Sequence, residues 1–91
     1  MEIGFNQNFK YKGVVCHVQT EDGGVNNPVI TTHIFKDGGT IFASRRASYA
    51  DAVNATDRDE QVKRMMREQT IALLKDLKAG KFDHLIERNK E

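Results

Sequence analysis

The spacing of apolar residues changes once along the chain, and this change limits the folds open to it. Before residue 50, apolar and polar residues alternate, as they do in β-strands with one buried face. From about residue 56 to residue 79, apolar residues recur every three to four positions, as along one face of an α-helix. Strands followed by one long helix favour an α+β fold, with the helix packed across one face of an antiparallel sheet.

The first half contains four strand-like segments. They comprise residues 5–11, 14–20, 29–36 and a segment that begins at residue 40. Lys12-Gly13 predicts a tight turn after the first segment, and residues 21–28 predict a loop because turn-forming residues crowd them. The Asp-Gly-Gly sequence at 37–39 predicts a hairpin, since glycine adopts the positive φ angles that such turns require. We therefore expect a twisted antiparallel sheet of three or four strands.

The second half predicts a long helix and a short terminal helix. Thr56 or Asp57 can cap the long helix, with acidic capping-box partners at residues 59 and 60. We expect this helix over 56–79, with Gly80 ending it, and the short helix over 82–90. The whole chain, 1–91, then forms one domain with a strand-rich half over 1–49. The expected core residues are Val14, Cys16, Val18, Ile34, Ile41, Val62, Met66, Leu73 and Leu77.

One apolar residue lies off the buried stripe of the long helix. At about 100° per residue, Ile71 points nearly opposite that stripe, and Leu74 lies between the two directions. Ile71 and Leu74 thus predict a second apolar surface. Either Phe82, Leu85 and Ile86 fold back and cover this surface, or it meets another chain.

Composition indicates a small domain of the cytoplasm. The 91 residues suit one core, and the formal net charge of +1 gives no built-in attraction for nucleic acid or an anionic membrane. The lone Cys16 cannot form an internal disulfide, which favours a reducing compartment. The N-terminus does not have the pattern of a signal peptide, and no apolar run approaches the roughly 20 residues of a membrane span.

The cysteine, the histidines and the serines do not form a catalytic or metal-binding pattern. Cys16 and His17 are adjacent on a strand, so they face opposite sides and cannot both bind one ion without a bulge. His17 and His33 alone are too few ligands for a structural zinc site. No Walker, GxGxxG or GxSxG sequence occurs. We expect no catalytic residues, no metal, no cofactor and no small-molecule ligand.

Two adjacent arginines have different predicted roles. Strand alternation directs Arg45 and Arg46 to opposite faces of the sheet. Tyr49 shares the Arg45 face, which indicates that Arg45 is held within the fold, paired with an acid such as Asp51 or Asp59. Arg46 is then the better candidate for contact with a partner.

These observations favour a small non-enzymatic interaction domain that binds a protein or self-associates, because Arg and Tyr are frequent anchors at interfaces. The candidate binding residues are Arg46, Arg45, Tyr49, Lys10, Lys12 and Ile71. The alternative is nucleic-acid binding on a basic and aromatic sheet surface. That surface would combine Arg45, Arg46, Lys10, Lys12 and Lys36 with Phe9, Tyr11 and Tyr49.

Three short stretches resemble a known group of proteins. The sequences HVQTED at 17–22, THIF at 32–35 and SRRASY at 44–49 are similar to segments of an uncharacterised bacterial family of short domains. The resemblance covers roughly residues 5–85. It implies a compact bacterial cytosolic domain and assigns no activity, ligand or site residue.

Overall fold

The structure is a computed structural model that describes residues 2–36 and 39–84, without the side chains of residues 2–5 and 42. Four strands, β1 (Glu2–Tyr11), β2 (Val14–Asp22), β3 (Val29–Lys36) and β4 (Thr40–Ser48), form one antiparallel sheet in the order β1-β2-β3-β4. A 3-10 turn, Ala50–Ala52, leads to helix α1 (Arg58–Lys78), which packs across one face of the sheet. The predicted α+β architecture is therefore confirmed.

The first hairpin forms as its sequence predicts, and β2 extends further than expected. Lys12 has a φ of 51° and Gly13 a φ of 79°, and two positive φ angles in succession define a type I′ turn. β2 continues through Glu21 and Asp22, which pair with Thr31 and Ile30 of β3. The predicted loop therefore begins at residue 23 rather than at residue 21. Most of the predicted hairpin turn at 37–39 and of the predicted helix at 82–90 lies outside the described residues.

The two ends of α1 differ in how well the sequence predicts them. At the C-terminus, Gly80 has a φ of 87°, and the amides of Gly80 and Lys81 donate to the carbonyls of Leu77 and Asp76. This is a Schellman ending. At the N-terminus, the Asp57 carboxylate accepts from the Gln61 side chain at 2.7 Å and caps no backbone amide. The predicted capping box is therefore wrong, because the backbone of Asp57 does not adopt the extended conformation that places a capping side chain.

The core lies between the sheet and α1 and consists of two apolar clusters. One is formed by the buried residues Cys16, Val18, Ile34, Ala43, Leu73 and Leu77. The other is formed by Ile30, Tyr49, Val62 and Met66. All of the expected core residues lie in or against these clusters except Ile41, which is 49% exposed.

A β-bulge explains why Ile41 is not in the core. Ile34 pairs with Ala43 and Phe35 pairs with Ile41, so residue 42 is an extra residue in β4. Beyond the bulge the alternation of β4 changes phase. Ile41 therefore lies beside Phe35 on the face that α1 does not cover.

A layer of buried polar groups separates the two apolar clusters. The hydroxyl oxygens of Thr20 and Thr32 lie 2.8 Å apart, and those of Thr20 and Thr70 lie 2.5 Å apart. The Gln69 side-chain amide donates to the Thr32 hydroxyl at 3.0 Å and to the carbonyls of Ile30 and Arg45, each at 3.2 Å. These bonds join the middle of α1 to three adjacent strands.

The hydrogen-bonded chain runs from the Gln69 amide to the Met66 carbonyl, and these two end groups fix the direction of every hydroxyl bond between them. The amide nitrogen of Gln69 can only donate, and the Met66 carbonyl, 2.7 Å from the Thr70 hydroxyl, can only accept. Thr70 therefore uses its single proton on Met66 and accepts from Thr20. Thr20 in turn accepts from Thr32, so all three hydroxyl protons have an acceptor. A polar layer without an unsatisfied hydroxyl stabilises the fold instead of weakening it.

We predict that removing the Thr20 hydroxyl is costly and that removing the Thr31 hydroxyl is not. Thr20→Val leaves the Thr32 proton without its acceptor, which should lower the free energy of unfolding by about 1–3 kcal/mol. Thr31 lies on the uncovered face, so Thr31→Val should change it by less than about 0.5 kcal/mol. Urea unfolding of both variants measures the difference, and an equal effect of the two substitutions would contradict the directed layer.

Candidate functional site

One face of the sheet has no described helix packed on it. Alternation in β2 and β3 buries Cys16, Val18, Thr20, Ile30, Thr32 and Ile34 against α1, and their neighbours point the other way. We call this second surface the open face. Its residues include Asn6, Asn8, Lys10, Val15, His17, Gln19, Glu21, Val29, Thr31, His33, Phe35, Ile41, Ser44, Arg46 and Ser48. An antiparallel sheet with a single covered face leaves such a surface to solvent or to a partner.

A cluster of three rings occupies the middle of the open face. The ring of Phe35 lies 6.0 Å from that of His17 and 5.8 Å from that of His33, centroid to centroid, and both pairs are tilted. His17 pairs with Phe35 across β2 and β3, and His33 follows on the same face of β3. The sequence directed attention to the two histidines, but it did not single out Phe35. Alternation by two residues from His33 is the signal that would have found it.

Among the described residues, the ring cluster lacks the ligand set of a structural zinc site. His17 Nδ1 contacts Asn8 Oδ1 at 2.5 Å, and Cys16 lies on the opposite, buried side, where burial raises the pKa of its thiol. Within residues 2–36 and 39–84, no three His, Cys, Asp or Glu side chains are grouped as metal ligands. His33 Nδ1 is buried without a hydrogen-bond partner among the described residues.

The ends of the open face differ in their share of exposed apolar side chains, and Lys10 lies beside Val15 at the more apolar end. At the end of the sheet that carries the Lys12-Gly13 turn, the open face has a shallow depression. Its lining includes Asn8, Val15, His17 and Phe35. Val15 and Ile41 are 43% and 49% exposed there. Toward the other end, the face carries the charged side chains of Glu21 and Arg46.

The two adjacent arginines lie on opposite faces. Arg45 lies on the helix side and pairs with Asp76 of α1 at 2.7 Å, while Lys81 contacts the other oxygen of that carboxylate at 3.1 Å. The hydrogen bonds from Arg45 and Lys81 lower the pKa of Asp76. The predicted pairing with Asp51 or Asp59 is therefore wrong. Arg46 is exposed on the open face, and no hydrogen bond or ion pair of the described residues involves it.

Tyr49 belongs to the interior of the molecule. It is 3% exposed, and its hydroxyl donates to Asp22 Oδ1 at 2.5 Å. The same oxygen accepts the Gly24 amide at 2.9 Å, so Asp22 joins the end of β2 to the loop and to the residue after β4. Burial, with the hydrogen bond to Asp22, raises the pKa of Tyr49 to about 12. Tyr49 therefore stabilises the fold by joining the end of β2 to the residue after β4.

The other candidate binding residues lie in three different places. Lys10 is exposed on the open face, whereas Lys12 lies in the first turn and pairs with Asp83. The hydrogen bond from Lys12 is the main cause of a lowered pKa at Asp83, which also accepts from the Tyr11 hydroxyl at 2.9 Å. Ile71 is 44% exposed on the outer side of α1, away from the sheet.

The apolar surface predicted around Ile71 is only partly covered. Leu74 and Phe82 pack against the first core cluster, so they belong to the interior. Ile71 itself stays exposed, and Leu85 and Ile86 lie outside the described residues. The rings expected to form a nucleic-acid surface are also on the helix side, because Phe9, Tyr11 and Tyr49 all pack against the core clusters.

Comparisons with protein-family models, curated proteins and solved structures found no match to this chain. The resemblance of residues 5–85 to an uncharacterised bacterial family therefore stays a prediction. Within the part of the chain that the structure describes, no helix is both long and apolar enough to cross a membrane.

We predict that the two arginines differ in their effect on stability. Arg45→Glu places a carboxylate beside Asp76, so it should lower the urea midpoint and let the pKa of Asp76 rise toward its ordinary value. Arg46→Glu changes an exposed side chain and should leave the midpoint nearly unchanged. The loss in Arg45→Glu should shrink at high salt, because exposed charges are screened. Equal losses in the two variants would contradict this assignment.

A separate prediction concerns alkaline pH. The pKa of Tyr49 is about 12 in the folded chain against an ordinary 10.0, so the unfolded chain releases this proton first as the pH rises. The stabilisation of the fold that Tyr49 provides is complete below pH 10 and is lost as the pH rises toward about 12. Tyr49→Phe should reduce this alkaline loss and, because Asp22 loses a donor, lower the free energy of unfolding at pH 7 by about 1–2 kcal/mol.

Urea unfolding of wild type and Tyr49→Phe between pH 7 and 11 measures both effects. The phenolate absorbance of the folded chain provides an independent reading, since a rise centred near pH 12 should be missing in Tyr49→Phe. The same pH dependence in both chains would show that Tyr49 does not release its proton late.

Proposed function

We propose that this chain is a small non-enzymatic interaction domain that binds a protein partner, or a second copy of itself, through the open face. One observation supports this most directly: α1 packs on one side of a four-stranded sheet, and none of the described helices packs on the other. That side exposes Val15 and Ile41 at 43% and 49% next to the ring of Phe35. Apolar and aromatic side chains within a polar rim are typical of interfaces between proteins.

The chemistry of the described residues supports binding more than catalysis. The thiol of Cys16 is fully buried, and burial raises its pKa, so this nucleophile is neither accessible nor activated. The depression beside Val15 is shallow and does not enclose a substrate as an active-site cleft would. We place the domain in a reducing, cytoplasmic setting, which the single buried cysteine supports.

A second candidate function is the binding of single-stranded nucleic acid on the same face. The three rings of His17, Phe35 and His33 can stack with bases, and Lys10 and Arg46 can contact phosphates. The carboxylate of Glu21 lies on this face as well and opposes a polyanion. This charge balance favours a protein partner over nucleic acid.

The open face can be tested with two matched isoleucines. Ile41 and Ile71 have similar exposure, 49% and 44%, but lie on opposite sides of the molecule. We immobilise the domain and measure the specific binding of a protein partner to it. Ile41→Asp should abolish this binding, because it places a charge in the interface. Ile71→Asp should capture as well as wild type does. Capture that survives Ile41→Asp and is lost in Ile71→Asp would move the binding surface to α1.

Retention on immobilised single-stranded oligonucleotide separates the second candidate from the first. Phosphate contacts weaken steeply as salt rises, so nucleic-acid binding should be strongest at low salt and should weaken in Arg46→Glu. No retention at low salt would remove this candidate. Captured protein that stays bound after nuclease treatment would support the first.

A further inference from the structure

Two opposite charges on the open face are arranged symmetrically about β3. Glu21 of β2 pairs with Thr31 of β3, and Thr31 pairs with Arg46 of β4. Glu21 and Arg46 therefore lie in one row across the sheet, each one strand away from β3. Their backbones are about 9.6 Å apart, twice the spacing of neighbouring strands. Neither residue forms an ion pair with the other or with any other described residue.

This symmetry makes the open face complementary to itself. A two-fold axis that runs along β3, between two sheets packed face to face, places β2 of one copy over β4 of the other. Glu21 then meets Arg46 of the second copy, and the same pair forms again on the other side of the axis. On the axis, the rings of Phe35 and His33 meet their own equivalents. Ile41 meets the ring of His17, which keeps the apolar ends of the two faces together.

We infer that the open face docks onto a second copy of this chain in a parallel, two-fold, sheet-on-sheet dimer. This inference rests on the proposed function and names the partner of that face. Sheets packed in this way lie about 10 Å apart and are rotated by roughly 30°. The two-fold axis is then inclined by about 15° to each β3, and a rotation centred at His33 moves Glu21 and Arg46, about 4.8 Å to the side and about 7 Å along the strand, apart by about 4 Å. Their long side chains can span that offset.

Association through the sheet edges is less favourable than association through the open face. Strand β4 has Arg45 and Arg46 next to each other at one edge, and β1 has Lys10 at the other edge. The bulges in β4 and in β1 interrupt the ladders that edge-to-edge pairing of two copies needs. Face-to-face packing brings opposite charges together.

The overlap is small, so the dimer should be weak. Three overlapping strands, about 4.8 Å apart and about eight residues long, give a contact of roughly 400 Å² per copy. That area belongs to the low end of protein interfaces, where association is transient. We expect the dimer to form between about 10 µM and about 1 mM of chain.

Charge exchange tests this arrangement directly. Wild type should sediment as an increasing fraction of dimer over that concentration range. Arg46→Glu places two carboxylates together, and Glu21→Arg places two guanidinium groups together, so each variant alone should dimerise at least about tenfold more weakly. An equimolar mixture of the two variants should regain the dimer, since every contact between them pairs opposite charges. One chain carrying both Glu21→Arg and Arg46→Glu should regain it as well.

Controls separate a lost interface from a lost fold. Circular dichroism and urea midpoints establish that each variant is folded, and Ile71→Asp, which changes the far side of the molecule, should dimerise like wild type. Should one single variant not fold, the double exchange in one chain still tests the pairing.

The results that overturn the inference are distinct from those that overturn the proposed function. Wild type that stays monomeric to about 1 mM, or single variants that dimerise like wild type, would overturn the two-fold dimer. A mixture of the two variants that stays monomeric would do the same. A binding surface on the open face would still stand if Ile41→Asp abolished capture of a different protein while Ile71→Asp did not.

Discussion

The hydrogen bonds of Gln69 and Thr70 determine where α1 lies on the sheet. Apolar contacts alone tolerate some sliding of a helix across a sheet, because they have no strict direction. Gln69 instead donates to the backbone of two neighbouring strands, and Thr70 accepts from a chain of hydroxyls that begins at Thr32. A shift of α1 by one turn would leave these buried groups unsatisfied, at a cost comparable to a large part of the stability of a small domain. The position of the helix then decides which sheet face is covered and which is open.

Much of this architecture follows from residue types and spacing. Alternation in β2 correctly places Cys16 and Val18 in the core, and Gly80 ends α1 because it adopts a positive φ at little cost. Ile41 shows where such reasoning ends. Alternation holds only while the two strands remain in register, and one extra residue in β4 reverses the side to which Ile41 points. The position of that bulge depends on pairing with β3, which local sequence does not encode.

The sequence predicted the fold better than it predicted the contacts of the candidate site. Alternation separates Arg45 from Arg46, but the partner of Arg45 depends on how α1 crosses the sheet. Asp76, which is 31 residues further along the chain, becomes that partner only through this crossing. The rings of the open face come together for a similar reason, since His17 and Phe35 are joined by register and not by proximity in sequence. Individual side chains could be assigned to faces, whereas their cross-strand neighbours required the structure.

Because of the bulge in β4, the number of residues between two positions of this strand no longer decides by itself whether their side chains share a face. Ile41 and Arg46 are five residues apart, and in a regular strand an odd separation would put them on opposite faces. Here they share the open face because residue 42 is unmatched in the ladder. Deleting residue 42 would leave the remaining side chains of β4 on their present faces, whereas deleting a residue elsewhere in the strand would turn one end over. The position of an insertion or deletion in β4 therefore decides which of its side chains lie on the open face. The side chains themselves stay the same.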